Sequence, residues 1–524
     1  MTRHRSSLAA ALVPALVVLA ACGGGGDTTA VDTLTVGLAG EVDCVDPHQA
    51  AQTQPLHVAR QVVDNLTDQD PETGEITPWV ATDWTVSDDA RTFTFTLRDD
   101  VTFSDGTPLD ADAVVANLED VVDLGARSPL GAGYLADLDE VTALDPTTVR
   151  VTFERPSAQF LQATSMVTLG LLAPSTLEAT PAERCAGELV GSGPFVVDSV
   201  TAQREAVLER RDDYAWASER LDHDGPAALR TVRFTVTPDA SVRHGSLTSG
   251  QIGVDTQVLP QDEAAFGDGL TLASAPRPGI VYTLLPNESR GPLRDDAVRR
   301  AVGLAIDREG LAPLLSSGER PATDALASTT PGYRDRSADL ARDVDKAARL
   351  LDGAGWTRSG DGVRSRDGEQ LSLTLVYSSA EPYGTVYELL SQQLAEVGID
   401  LRLAPLDDAS NVARQGEGDY DFVSWAVTRA DPSILASIYP VESANPLRRT
   451  DPDRLDDLVA EISASVAAES RSRSVDAAVE EIMAGGHGLP LFEQAASIGL
   501  GEGVEGVTLD AASRPVLLTA TVRR

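Results

Sequence analysis

The sequence predicts a mixed α/β body of two or three lobes around a cleft. The 524-residue chain is far longer than one hydrophobic core usually sustains, even without its first 21 residues. Hydrophobic residues make up 42% and charged residues 23%, a globular composition. Most tellingly, Leu371, Leu373 and Leu375 alternate as a strand. Tyr387, Leu390, Leu394 and Val397 then recur at helical spacing, and Ile399, Leu401 and Leu403 alternate again. That order of strand, helix and strand indicates helices covering a sheet.

The chain opens with Arg3 and Arg5, then an uncharged apolar run from Leu8 to Ala21 that is too short for a convincing bilayer span. This is the pattern of a secretory signal. Its end, Leu19-Ala20-Ala21-Cys22 followed by Gly23 to Gly26, resembles the lipoprotein signal of bacteria. That resemblance implies removal of 1–21, acylation of Cys22 and a Gly-rich tether over 22–31. The alternative is a secreted protein with a chance cysteine.

Leu34, Val36 and Leu38 alternate as the first strand, and Asp46-Pro47-His48 reads as a turn. A short helix is expected over 57–66. Phe93, Phe95 and Leu97 share one strand face, Ser104-Asp105-Gly106 turns the chain, and Asp110 caps a helix carrying Val114 and Leu118. Val141 to Leu144 and Val149, Val151 and Phe153 flank the turn Asp145-Pro146 as a hairpin. Gly191-Ser192-Gly193-Pro194-Phe195 is a tight turn, and Val232, Phe234 and Val236 form further sheet. From residue 280, Tyr282, Leu284 and Leu285 form a strand, and Asp295 caps a helix with Val298 and Val302. Leu340, Val344, Ala347 and Leu351 predict a helix over 340–351 that stops at Gly353 and Gly355. Asp421 to Val423 lead as a strand into Trp425. A helix with Leu455, Leu458 and Ile462 follows, and 482–492 and 509–522 return to strand.

Formal net charge is −39, and Lys346 is the only lysine. Such a surface repels nucleic acid and anionic lipid. Cys44 and Cys185 either pair in an oxidising compartment or sit as two small buried hydrophobes. His48, His57, His223 and His244 form no zinc-like pattern with cysteine, so neither a metal nor a cofactor is predicted. No GxSxG elbow, P-loop or HExxH motif is present. His487, in Gly485-Gly486-His487-Gly488, reads as a surface turn. The carboxylate pairs Asp99-Asp100, Asp407-Asp408 and Asp456-Asp457 read as solvated faces, because adjacency does not separate their pKa values. These exclusions argue against an enzyme.

The run from Phe95 to Val114, FTLRDDVTFSDGTPLDADAV, resembles the signature segment of the family 5 solute-binding proteins, receptors of peptide/nickel-type ABC importers. Val45-Asp46-Pro47 is similar to the family's Leu-Asp-Pro turn, and Gly191 to Phe195 to its Gly-Thr-Gly-Pro-Tyr element. Leu293 to Ala301 with Ala305-Ile306-Asp307-Arg308, and Ala347 to Leu351 with Ala354-Gly355-Trp356, match two further segments in the family's order. The resemblance implies a periplasmic-binding-protein-like α/β fold (type II, cluster C). Two large lobes would flank a strand-crossing hinge, with a third, smaller lobe. Lobe I would comprise 32–66, 190–280 and 490–524, lobe II the insertion 67–189, and lobe III 281–489. Cys44 and Cys185 would then fall near lobe boundaries, which would allow them to meet. The implied partners are a small-molecule ligand, ABC permease subunits and, through the lipid on Cys22, the outer face of the cell membrane. A monomer is expected.

Peptide-binding relatives read Trp-x-x-Asp and then an acid before proline, the first acid pairing with the ligand's ammonium. Here Trp425 and Asp431-Pro432 match, but Thr428 stands at the amine-binding position. A hydroxyl cannot neutralise a buried ammonium. Either free peptide amino termini are not gripped in the usual way, or Asp431 substitutes. Gln54, Arg277, Tyr282, Trp425, Thr428 and Asp431 are the candidate ligand contacts. Gln54 offers a hydrogen bond, Arg277 a carboxylate partner, and Trp425 aromatic area or core packing; Arg429 balances local acid. The sequence therefore points to capture of a peptide or peptide-like solute. A sugar, opine or metal chelate is the alternative ligand. A sensing lipoprotein or a secreted hydrolase is the alternative class.

Overall fold

The computed structural model describes residues 32–523, apart from 268, 359, 361 and 380. Cys22, the signal and the whole tether therefore lie outside the described residues. Three sheets dominate. Strand Thr33–Leu38 lies inside a seven-stranded sheet, parallel to Thr231–Val236 on one side and to Val254–Asp255 on the other. Its edge toward the rest of the molecule pairs Thr271–Pro276 with Ala495–Leu500. A four-stranded antiparallel sheet holds Ala81–Val86, Thr92–Leu97, Thr148–Phe153 and Leu138–Asp145. A six-stranded sheet holds Gly279–Pro286, Phe422–Thr428, Ser372–Ser378 and Asp400–Leu406, edged by Leu489–Glu493 and Arg320–Pro321.

The buried apolar residues of the seven- and four-stranded sheets merge into one core, in which Phe93, Phe153 and Phe160 meet edge to face. The six-stranded sheet has its own core on each face. One core packs helices Asp296–Ala305, Val344–Gly353 and Gly384–Glu396, whose apolar stripes were legible from spacing; the other packs Arg454–Ala464 and Ala468–Gly485. The chain crosses between the seven- and six-stranded sheets twice. Residues 277–278 join strand Thr271–Pro276 to Gly279–Pro286, and Gln494 joins Leu489–Glu493 to Ala495–Leu500. The crossings are tied together, because Arg277 N–H donates to the Gln494 carbonyl at 2.8 Å. Gly279, at φ +112°, starts the second strand where a Cβ would fall 2.1 Å from the Val427 carbonyl oxygen.

Cys44 and Cys185 form a disulfide between the loop after the first strand and helix Pro181–Cys185. Beside it, Arg184 reaches Asp46 and Asp120, both at 2.8 Å, and Asp120 also meets His48 at 2.7 Å.

Three local expectations are corrected. The first helix runs from Thr53 to Ala59, not over 57–66. The carbonyls of Gln61 and Val62 are taken instead by Phe195 N–H and Gly193 N–H. Gly193 permits that approach, since a Cβ there would lie 2.5 Å from the Val62 carbonyl carbon. The helix expected over 340–351 begins at Val344, because the Asp343 carboxylate caps Lys346 N–H at 2.7 Å while Arg308 takes the Leu340 carbonyl. His487 is no surface turn: it is 8% exposed and bonded to Glu288 at 2.8 Å.

Candidate functional site

Where the crossings join the two large sheets, both sheets line a cavity of about 620 Å³. The seven-stranded side contributes Thr256 to Pro260 and Ser497. The six-stranded side contributes Tyr282, Ser424, Trp425 and Ala426 from adjacent strands, and Ser378, Glu381, Pro382 and Tyr383 from the end of strand Ser372–Ser378 and the loop that leaves it. That strand is parallel to both its neighbours, so the loop lies at the carboxyl ends of parallel strands, where open α/β sheets place their crevices. Arg277 and Gln494 contribute from the crossings themselves.

An aromatic wall is built on strand Gly279–Pro286. The Tyr282 ring stacks on Phe492 at 4.7 Å, and Tyr383 packs against both at 4.8 and 4.7 Å. Their hydroxyls feed two carboxylates. Tyr282 and Tyr387 both donate to Glu381, and Tyr387 is 2.8 Å from the Ser424 hydroxyl. Tyr383 donates to Glu319 at 2.7 Å and accepts from the Gln494 amide at 3.0 Å. Burial raises the Glu319 carboxyl above its usual range, opposed by its hydrogen bonds and by the Arg277 charge. Burial, reinforced by the Glu381 carboxylate, pushes Tyr282 and Tyr387 far up, so both stay protonated donors.

Arg277 is the one basic side chain among the described residues lining the cavity. Among those residues no carboxylate lies within ion-pair distance of its guanidinium, although its backbone is fixed to Gln494. Behind it, His57 is buried in the helix Thr53–Ala59. Burial, then the charges of Arg514 and Arg277, lower its pKa to about 3, so it stays neutral and adds no charge to the site.

The other sequence candidates fall as follows. Trp425 is half-buried, lines the cavity, and donates its indole N–H to Gln415 at 3.0 Å. Gln54 faces a neighbouring depression that shares Gln257 with the cavity, and accepts from Thr256 at 3.0 Å. Thr428 is exposed at the end of its strand, opposite Gly279, and does not line the cavity. Asp431 is 3% exposed and away from the cavity lining; both its oxygens accept from Arg471, at 2.6 and 2.8 Å. Arg429 lies over the Tyr134 ring at 4.6 Å and donates to Gln159, so it bridges the four- and six-stranded regions. Glu319, Glu381, Tyr383 and Gln494 were not singled out from the sequence. The signal that would have found the Glu381-Pro382-Tyr383 segment is its place between a strand and a helix in a parallel unit. Among the described residues no group of three or more His, Cys, Asp or Glu side chains is arranged to hold a metal ion.

Comparison with known proteins decides the family. The model of bacterial extracellular solute-binding proteins, family 5 (middle region), matches residues 75–446. The chain belongs to that family. It is 27% identical to the nickel-binding periplasmic protein of Escherichia coli K12 over 379 residues, covering 70% of each chain. It is 26% identical to the dipeptide-binding protein of the same organism over 399 residues, covering 70% of this chain and 71% of that one. The crystal structure of NikA from Brucella suis in complex with Fe(III)-EDTA superposes with a TM-score of 0.80 at 24% identity, over 94% of this chain and 99% of that one. The fold is thus the two-lobed α/β type II periplasmic-binding-protein fold. This family member is an extracytoplasmic solute-binding protein, not an enzyme, and its partners are a small solute and ABC permease subunits.

Proposed function

We propose that the chain captures a carboxylate-bearing, peptide-like solute in the cavity between Arg277 and Trp425 and presents it to an ABC import permease. Arg277 carries the reading, as a guanidinium at the crossing of the two sheets that makes no ion pair among the described residues, although Glu319 lies near enough to feel its charge. A carboxylate there gains a charge-assisted, forked hydrogen bond. Tyr282 and Trp425 supply flat apolar area, and Gln54 reaches the solute's far end. Glu319 and Glu381 are placed for donor groups of the same solute. The lobes are those expected from the sequence, 32–66, 190–280 and 490–524 for lobe I, 67–189 for lobe II and 281–489 for lobe III, with the boundary between I and III moved to the crossings so that Gly279–Pro286 and Leu489–Glu493 fall wholly in lobe III. Lobes I and III close about residues 277–278 and 494 through contacts made only in the closed state. Acylated Cys22 and the Gly-rich tether over 22–31 keep the receptor at the membrane. The relatives' ligands, nickel and dipeptide, mark the range within which this solute falls.

Titration of di- and tripeptides against their C-terminal amides, followed by tryptophan fluorescence, tests the reading. Loss of one hydrogen bond to a charged group is worth about 1.5–3 kcal/mol, or about ten- to hundredfold in affinity. Arg277→Ala is expected to weaken the acids by that factor and to leave the amides unchanged. Equal weakening of acids and amides removes Arg277 from carboxylate recognition.

A further inference from the structure

A second cavity, of about 460 Å³, lies within the six-stranded half and shares no lining residue with the first. Helix Asp296–Ala305, the segment 336–340, the start of helix Val344–Gly353 and the end of helix Ala468–Gly485 surround it. Its charge runs against that of the whole protein. Arg300, Arg308, Arg336 and Lys346 line it against only Asp339 and Glu480, in a chain with 81 acidic and 42 basic residues.

Two of these cations have no carboxylate partner among the described residues. Lys346, the only lysine, is exposed on the first turn of its helix and enters no ion pair there. Arg308 is only 6% exposed. Its Nε donates to the Pro490 carbonyl and its Nη1 to the Leu340 carbonyl, both at 2.7 Å, with Gly303 more distant at 3.4 Å. These contacts neutralise no charge. The remaining nitrogen, Nη2, has no hydrogen-bond partner among the described residues, yet it is not sealed from solvent, and the side chain lines the cavity. Burial alone lowers its pKa, to about 10, as follows when a guanidinium is enclosed without a counter-charge. Arg336 is engaged by Asp324 and Asp476, and Arg300 holds Asp296 loosely at 3.5 Å. Arg300 is therefore available to a ligand at modest loss.

We propose that this cavity is a second binding site, for a small oxyanion of the phosphate or carboxylate class, gripped by Arg308 Nη2 and closed at its mouth by Arg300 and Lys346. An oxyanion supplies the missing counter-charge and accepts the remaining guanidinium proton in the planar geometry that arginine favours. Asp339 and Glu480 limit the site to small anions, because a larger polyanion would bring its charge against them.

The probes are inorganic phosphate and succinate, each titrated calorimetrically into the full mature chain at matched ionic strength, with sodium chloride as reference. Saturable one-to-one binding of at least one probe is expected, and which one binds identifies the source of the oxyanion. The double variant Arg300→Gln, Lys346→Gln touches only the mouth and spares the carbonyl bonds of Arg308. It is expected to weaken that binding at least tenfold with an unchanged melting temperature in chloride. No saturable binding of either probe, or equal binding by the double variant, overturns the proposal. Arg308→Lys adds a second arm. It retains charge but loses the fork, and a folded Arg308→Lys protein that binds as well as wild type overturns the role of Nη2.

Discussion

Replacing both Cys44 and Cys185 by serine is expected to lower stability by about 2–5 kcal/mol. The disulfide joins residues 141 apart in sequence, and the loop it closes contains the whole four-stranded sheet. Closing a loop of that length removes much freedom from the unfolded chain, and the gain rises only slowly with further length. The native side is prepared for the link. Val45 N–H donates to the Cys185 carbonyl at 3.3 Å, and Arg184 beside it is clamped between Asp46 and Asp120. Thermal unfolding with and without reductant checks this. The wild-type melting temperature should fall on reduction to that of the double variant, and the double variant should ignore reductant. A wild-type protein that melts alike in both conditions contradicts it.

Asp431→Asn is expected to cost about 2–4 kcal/mol of stability and to leave solute affinity within about twofold. The Arg471 guanidinium is only 18% exposed and loses its sole carboxylate among the described residues. Breaking a buried pair leaves an uncompensated charge, and the partial exposure of Arg471 lessens the penalty. The carboxylate also accepts from Ser433, both N–H and hydroxyl, and so anchors the turn after strand Phe422–Thr428. With Asp431 held there and Thr428 exposed, neither provides a counter-charge in the cavity for a peptide ammonium. N-acetylation of a peptide should therefore change its affinity by the same factor in wild type and variant, because the carboxylates that line the cavity are Glu319 and Glu381. Urea unfolding and peptide titration together check the pair of outcomes. Affinity that falls in the Asp431 variant, or an acetylation effect present in wild type and lost in the variant, contradicts this structural role.

The parts of the fold that were legible are those in which side-chain period matches a surface half buried. Leu371 to Leu375 and Leu401 to Leu403 alternate because helix Gly384–Glu396 covers one face of their sheet. Where a long-range contact overrides local pattern, the sequence misleads. The apolar residues after His57 suggest continued helix, but the N–H groups of Gly193 and Phe195 capture the Val62 and Gln61 carbonyls from more than a hundred residues away. His487 lies among glycines and reads as a turn; only the approach of Glu288, which Arg299 also meets, makes it a buried, hydrogen-bonded residue. The site divides in the same way. Arg277 and Tyr282 flank the lobe crossover that the family resemblance implies, and both line the cavity there. Glu319 and Tyr383 come from separate loops, and their hydrogen bond spans 64 residues, a distance no periodicity encodes. The acid before proline matched a motif, yet the motif could not show that Arg471, 40 residues on, would hold it.

The most direct test of the central claim, that a small solute occupies the cavity between Arg277 and Trp425, is native mass spectrometry of gently purified protein. Wild type is compared with Ala426→Trp, which fills the cavity from a strand position that lines it. The account predicts one noncovalently bound small molecule on wild type, exchangeable for added peptide-like acid and absent from the filled variant. The same bound mass on a folded Ala426→Trp protein would contradict it.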